Sequence, residues 1–358
     1  MPERRPLSVL AALLLAIPLH AADPSVGTRI GRFFSEWSLR IPGTHFEAVE
    51  TRDVTVPGLT AFLVSRRPDP AAPAPSRAES SVTLYDARKD QVFVGHALHD
   101  ASRLAARRPF DAAVDLANMT ASLREVFGVP VRVDRKGEGR GALLPMAIGV
   151  EQAPGAYVLL PGYVSADGAT LLLGEFHPLS EKPEAWRRKV LSENPGVRAG
   201  EGGFAVVEFL DFQCERCKRR TPEARAAAAQ RGGTLETHFL PLVQSHEWAF
   251  AAAESAAALA RVTPALYGRF EEMIFARSEG MTAAAAREVA ADVAEAAGAR
   301  EKFDAEISSG RARERVLADV LLAARVGVTG TPAFVLDGRL LPGERSFLEA
   351  ELSRRPSR

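Results

Sequence analysis

Only two cysteines occur in 358 residues, and no histidine cluster accompanies them. Zinc held by four nitrogen, sulfur or oxygen ligands is therefore not expected, and neither is any other metal. No side of the charge balance dominates. Forty-five basic residues cancel forty-five acidic ones, and no run of one sign is longer than three residues, as at Lys218-Arg219-Arg220, so nucleic acid is not expected as a partner. After residue 19 no apolar run approaches the roughly 18–20 residues that a membrane-spanning helix needs. What is present is ordinary for a globular chain: 46% apolar and 25% charged residues, over a length that suits two or three domains.

Arg4 and Arg5 precede an apolar segment from Leu7 to Leu19, closed by His20-Ala21-Ala22. A basic stretch, a short apolar core and small residues predict a secretory signal over 1–22, the alternative being an uncleaved anchor. Export to the periplasm or another extracytoplasmic space also suits a lone cysteine pair, which an oxidising compartment can maintain.

Two blocks follow. The first, residues 23–108, opens with helical spacing over Gly27–Leu39 and continues through strand-like runs at His45–Val56, Thr60–Val64, Ser81–Tyr85 and Gln91–Gly95. A Pro/Ala-rich tract at 66–80 interrupts it and reads as a loop. The second block, residues 109–180, starts with a helix over Phe110–Phe127. Its strand-like runs are Val131–Val133, Leu143–Val150, Ala156–Leu160, Tyr163–Ser165 and Thr170–Gly174. Val56-Pro57-Gly58 aligns with Ala153-Pro154-Gly155, and Val92-Phe93-Val94-Gly95 with Leu171-Leu172-Leu173-Gly174. The two offsets differ by about the length of the Pro/Ala tract, so a duplicated α+β region is expected. The hairpin Gly162–Gly174, turning at Asp167-Gly168, also resembles the dimerisation modules of DsbC-type disulfide isomerases. That resemblance implies a possible homodimer through the N-terminal region. A linker helix within 181–200 leads to the final domain, 201–358.

There, Phe204-Ala-Val-Val-Glu-Phe-Leu210 is an apolar run, followed by Asp211-Phe212-Gln213 and then Cys214-Glu215-Arg216-Cys217-Lys218 at a helix start. Two cysteines three apart in a first helical turn lie within disulfide reach. A helix N-terminus carries about half a positive charge, which stabilises a thiolate and lowers the thiol pKa. Glu215 and Arg216 pull that thiolate in opposite directions, the carboxylate against it and the guanidinium for it. A purely structural bridge across so small a loop would constrain little of the unfolded chain.

This stretch resembles the DsbA-like branch of the thioredoxin superfamily, whose members carry Phe-x-Asp-Phe-x-Cys-x-x-Cys-Lys at the end of a strand. Gly327-Val-Thr-Gly-Thr331-Pro332-Ala-Phe is similar to the family's second landmark, where the proline is cis and faces the cysteines. The resemblance implies an α/β thioredoxin fold with a helical insertion, here about 245–326. It also implies protein disulfide exchange without a cofactor, substrates that are cysteine-containing exported proteins, and a membrane redox partner. Cys214 would attack and Cys217 resolve, while Glu208 would be the buried acid that exchanges a proton with Cys217, the alternative being an edge-strand Glu facing water. Thr331 and Pro332 would line the substrate site. Glu215 stands where many members have proline, so the redox potential does not carry over. Oxidase, isomerase and reductase directions stay open, and the rival reading is a chaperone-like binding protein for unfolded exported chains.

Overall fold

The structure, a computed structural model, describes residues 24–39, 43–52, 54–68, 80–99, 112–136, 143–198 and 200–355. The expected leader at 1–22 and most of the Pro/Ala-rich tract lie outside the described residues.

The N-terminal region is built on one antiparallel sheet of eight strands. Helix α1 (Pro24–Trp37) precedes strands β1 (Thr44–Glu50), β2 (Thr60–Pro68), β3 (Ser80–Asp86) and β4 (Gln91–His99). Helix α2 (Ala112–Phe127) precedes β5 (Val131–Arg135), β6 (Leu143–Ala153), β7 (Ala156–Ser165) and β8 (Thr170–Pro178). The spatial order is β1-β2-β3-β4-β8-β7-β6-β5, two meanders joined back to back. Ile30, Phe33, Phe34 and Trp37 recur at the spacing of one helical face, and all are buried with Phe62, Val64, Tyr85 and Val92 of the sheet beneath α1. Each such side chain contributes about 1.5–3 kcal/mol on burial.

The seam between the meanders runs Gln91↔Pro178 through Gly95↔Gly174 to His99↔Thr170. Gly95 and Gly174 face each other at its centre with φ of 151° and 141°. A Cβ on Gly95 would fall 1.9 Å from the Leu173 carbonyl oxygen, and one on Gly174 2.0 Å from that of Val94. Only glycine lets the two strands cross this closely. These are the same two glycines that the internal alignment equates.

One strand departs from the sequence expectation. Ala156–Leu160 and Tyr163–Ser165 form a single strand, β7, that passes straight through Pro161-Gly162. β8 pairs with β7 only over Gly162–Val164, while on its other side Pro161 stands opposite Ala147 within the β6–β7 register. Gly162 is favoured by crowding, since a Cβ there would lie 2.7 Å from the Leu172 carbonyl oxygen.

Helix α3 (Pro183–Glu193) leads into the second sheet, ordered β13-β12-β10-β11-β9. Its strands are β9 (Val197–Arg198), β10 (Ala205–Leu210), β11 (Thr234–Phe239), β12 (Ala333–Leu336) and β13 (Arg339–Leu341). β10 runs parallel to β11 and antiparallel to β12. Helix α4 (Glu215–Gln230) links the parallel pair. Between β11 and β12 stand α5 (Ala249–Val262), α6 (Pro264–Ala276), α7 (Ala283–Ala296), α8 (Arg300–Ser308) and α9 (Arg311–Val326), and α10 (Arg345–Ser353) closes the chain. This is the thioredoxin-like layout with a helical insertion, preceded by a large sheet region. Thr263 and Thr282 cap α6 and α7 through their hydroxyls, as a Thr before an apolar helical stretch predicts. α5 is buried over Ala249–Leu259, and its Glu254 pairs with Arg313 and Arg287.

The two regions share one continuous core. At their junction Trp37 at the end of α1 packs on His177 of β8 (4.6 Å between ring centroids) and on Trp186 of α3 (5.6 Å). Burial and the nearby guanidinium groups of Arg325 and Arg187 lower the His177 pKa to about 4, so the imidazole is neutral. Arg187, fully buried, holds this junction. Its guanidinium lies over Trp37 at 4.8 Å and donates to the carbonyls of Glu36, Trp37, Val326 and Gly338.

Candidate active site at the mouth of helix α4

Alternation along β10 decides the site. Val206 and Glu208 point to one face of the sheet, under α4, while Val207 and Phe209 point to the other. On α4, Cys217 and Thr221 are four residues apart and share a buried face, both at 0% exposure. The two faces meet: Thr221 Oγ1 donates to Glu208 Oε1 at 2.7 Å. Glu208 is itself fully buried. Desolvation raises its pKa to about 8, the Thr221 hydrogen bond opposing. This carboxyl therefore holds a proton at neutral pH and gives it up just above.

Cys214 is the N-cap of α4, in extended conformation, and its Sγ accepts from the Cys217 backbone N–H at 3.4 Å. Both cysteines are free thiols, Cys214 8% exposed and Cys217 0%. The Cys214 pKa falls to about 5. The Cys217 thiol donating to it contributes most; burial opposes, and the backbone N–H groups of Cys217 and Arg216 and a contact to Thr331 add to the fall. Cys217 is driven far upward, first by burial and then by the sulfur beside it. One sulfur is an anion at neutral pH and its neighbour is a thiol. That division is what a nucleophile and a resolving group require.

Thr331 and Pro332 lie against this pair. The Thr331–Pro332 peptide is cis, and the Cys214 thiol reaches the Thr331 carbonyl at 3.6 Å. Glu215 and Arg216 are exposed. The Arg216 guanidinium is engaged by Glu344 Oε1 at 2.7 Å, and the residue favours the thiolate through its backbone N–H.

Asp211 and His246 complete the loop. Asp211 accepts from the Gln213 and Leu242 backbone N–H groups, and its Oδ2 lies 2.7 Å from His246 Nδ1. Gln213 in turn accepts from the Trp248 N–H at 3.0 Å, tying the cysteine loop to the start of α5. Sequence reasoning did not find Gln213, Thr221 or Glu344. The signal for Thr221 was its spacing four residues after Cys217. The partners of Gln213 and Glu344 lie 35 and 128 residues away and leave no local trace. Among the described residues no group of three or more His, Cys, Asp and Glu side chains could hold a metal ion.

Residues 203–351 match the thioredoxin family model. Among solved structures, the chain is similar to the thiol-disulfide exchange protein alpha-DsbA2 from Wolbachia pipientis. Identity is 17%, coverage 48% of this chain and 96% of that one, and the TM-score 0.39. The catalytic domain of Proteus mirabilis ScsC matches at 17% identity, 48% and 98% coverage and a TM-score of 0.39. A periplasmic thioredoxin-like protein from Salmonella enterica serovar Typhimurium matches at 20% identity, 47% and 94% coverage and a TM-score of 0.38. No curated protein is significantly similar to the chain.

Proposed function

We propose that this chain, with its thioredoxin-fold C-terminal region, is an exported thiol–disulfide oxidoreductase acting on cysteine-containing exported proteins. The observation that carries the reading is the split between the sulfurs: Cys214 is a stabilised thiolate at the helix mouth and Cys217 a buried thiol above an acid. In the reducing direction, Cys214 S⁻ attacks one sulfur of a substrate disulfide, that S–S bond breaks, and the departing thiolate takes a proton from solvent. A mixed disulfide remains. Glu208, in the fraction that is ionised as pH approaches its pKa of about 8, accepts the Cys217 proton, and Cys217 attacks Cys214. The internal disulfide forms and the second substrate sulfur leaves as a thiolate. Oxidation is the same path in reverse.

The same thiolate supports one direction over the others. Its stabilisation belongs to the dithiol form, so it makes the disulfide form easier to reduce and hence a better oxidant. Thiol pKa values of about 7 and about 3.5 accompany potentials near −270 and −120 mV in this kind of site. With Cys214 at about 5, we place this protein between those limits and read it as leaning to oxidase, with a membrane partner to restore its disulfide. The seam already joins both halves of the N-terminal sheet within one chain, so the reading needs no second copy.

The test is refolding of a reduced, scrambled or unfolded disulfide protein, with Cys214→Ser as control. Wild type should form or exchange disulfides and the variant should not. Activity retained by Cys214→Ser would end the proposal. Equilibration with glutathione buffers should give a potential more oxidising than about −270 mV.

A further inference from the structure

On α4, Cys217, Thr221 and Arg225 stand four residues apart and form one stripe along the helix. Glu208 is anchored on the middle member, so Cys217 lies one helical turn before that anchor and Arg225 one turn after it. Arg225 Nη2 donates to Oε1 of Glu271 on α6, and Glu271 Oε2 accepts from the Tyr267 hydroxyl, one turn earlier on the same helix. Glu271 and Tyr267 are as buried as Glu208, at 1%, 0% and 0% exposure, while the Arg225 side chain keeps 30% of its surface in solvent. Among the described residues, the titratable and charged groups that act on Glu208 are Cys214, Cys217 and Arg225 on α4 and Glu271 and Tyr267 on α6. Its neighbours across the sheet, Thr237 on β11 and Phe334 on β12, are uncharged.

We infer that the Arg225–Glu271 ion pair is a positioning element for the resolving step: it balances charge beside Glu208 and so sets how readily that acid takes the Cys217 proton. The inference rests on the oxidoreductase reading and gives the helical insertion, which supplies Glu271, a part in the chemistry of the cysteines. Three observations carry it. The two charges act on Glu208 in opposite directions, Glu271 holding it protonated and Arg225 favouring its carboxylate. Glu208 and Glu271 share a site from which water is excluded, where a charge is felt more strongly than at the surface. Finally, a buried ion pair stabilises a core little more than apolar residues of similar volume, so stability alone does not account for one set beside a group that must change charge. As the Cys217 sulfur attacks Cys214, its proton passes to the Glu208 carboxylate. Forming that carboxylate brings a second negative charge near Glu271, and Arg225 offsets it.

The experiment follows both sulfurs in one trace. Reduced full-length protein is mixed by stopped flow with a symmetric aromatic disulfide, in buffers from pH 5 to pH 10. One aromatic thiolate is released when Cys214 attacks, and a second when Cys217 displaces it from Cys214. In wild type the rate of the second release should rise with pH through a midpoint near 8. Glu271→Gln keeps the side chain's shape and leaves the Arg225 cation unopposed, so the midpoint should fall by about one unit, the lower end of what a nearby opposite charge produces. Arg225→Met leaves Glu271 facing Glu208 with no cation beside it, and should raise the midpoint. Loosened packing that wets Glu208 would lower the midpoint in both variants, so a shared fall, or midpoints that do not move, would overturn the assignment. If Glu271→Gln does not fold, Arg225→Met decides alone: a rise supports the pair's role and anything else overturns it. Absence of the first release in wild type would instead overturn the oxidoreductase reading itself.

Discussion

Cys217→Ala isolates the largest contribution to the nucleophile. In the intact pair the Cys217 thiol donates to the Cys214 sulfur, its backbone N–H does so at 3.4 Å, and the Cys214 pKa stands at about 5. Alanine removes the S–H donor and keeps the backbone donor and the helix start. A hydrogen bond to a charged group is worth about 1.5–3 kcal/mol. With 1.36 kcal/mol per pKa unit, the loss should raise the Cys214 pKa by about 1–2 units, to between about 6 and 7. Thiolate absorbance near 240 nm, titrated from pH 3 to 10, reads this directly, with Cys214→Ser as the blank. Wild-type reduced protein should titrate near 5. A variant that also titrates near 5 would show that the neighbouring thiol contributes nothing. A wild type that titrates near 9 would refute the thiolate altogether. The same shift governs stability. The folded pKa is depressed from 9.0, so the thiolate contributes stability that is fully present above about 9 and is lost as pH falls through about 5. Reduced wild type should therefore lose stability relative to Cys214→Ser across that window.

Glu208 carries the opposite sign. Its folded pKa is raised from 4.5 to about 8, so stability falls as pH rises between those values, and Glu208→Gln should be more stable than wild type above pH 8 in urea denaturation. The same variant should slow release from a trapped mixed disulfide, read by quenched-flow, while leaving the first attack by Cys214 little changed. Arg187→Met leaves the buried carbonyls of Glu36, Trp37, Val326 and Gly338 without their donor, and should cost at least about 1–3 kcal/mol in denaturant unfolding. Gly95→Ala places a Cβ 1.9 Å from the Leu173 carbonyl oxygen at a φ of 151°, and should lower Tm by several degrees, with the earliest hydrogen exchange along β4 and β8.

Much of the catalytic region was legible in the sequence because its signals are local. An apolar run ending in Asp211, a cysteine pair at a helix start, Thr-Pro before a helix and Gly-Thr-Pro before a strand each depend on a few adjacent residues. The sheet of the N-terminal region was legible only in outline. Alternation marks strands, but nothing in β4 announces that its neighbour is β8, 79 residues on. Pro161-Gly162 reads as a break, yet the strand continues through it, with Pro161 opposite Ala147 of β6. The burial of Arg187 depends on carbonyls from three distant elements, which no periodicity encodes. Of the site, the sulfurs could be named from pattern and the acid from the family resemblance, whereas Thr221 and Gln213 needed coordinates.

The joined halves of the large sheet have a thermodynamic corollary. Two separate polypeptides meeting along such an edge would part on dilution, and each would carry whatever change the other carried. Here the tether keeps the encounter intramolecular at any protein concentration. It also frees each half to vary alone, so that α1 can end on a tryptophan wedged against α3 while α2 ends on Phe127 at the rim of a cavity.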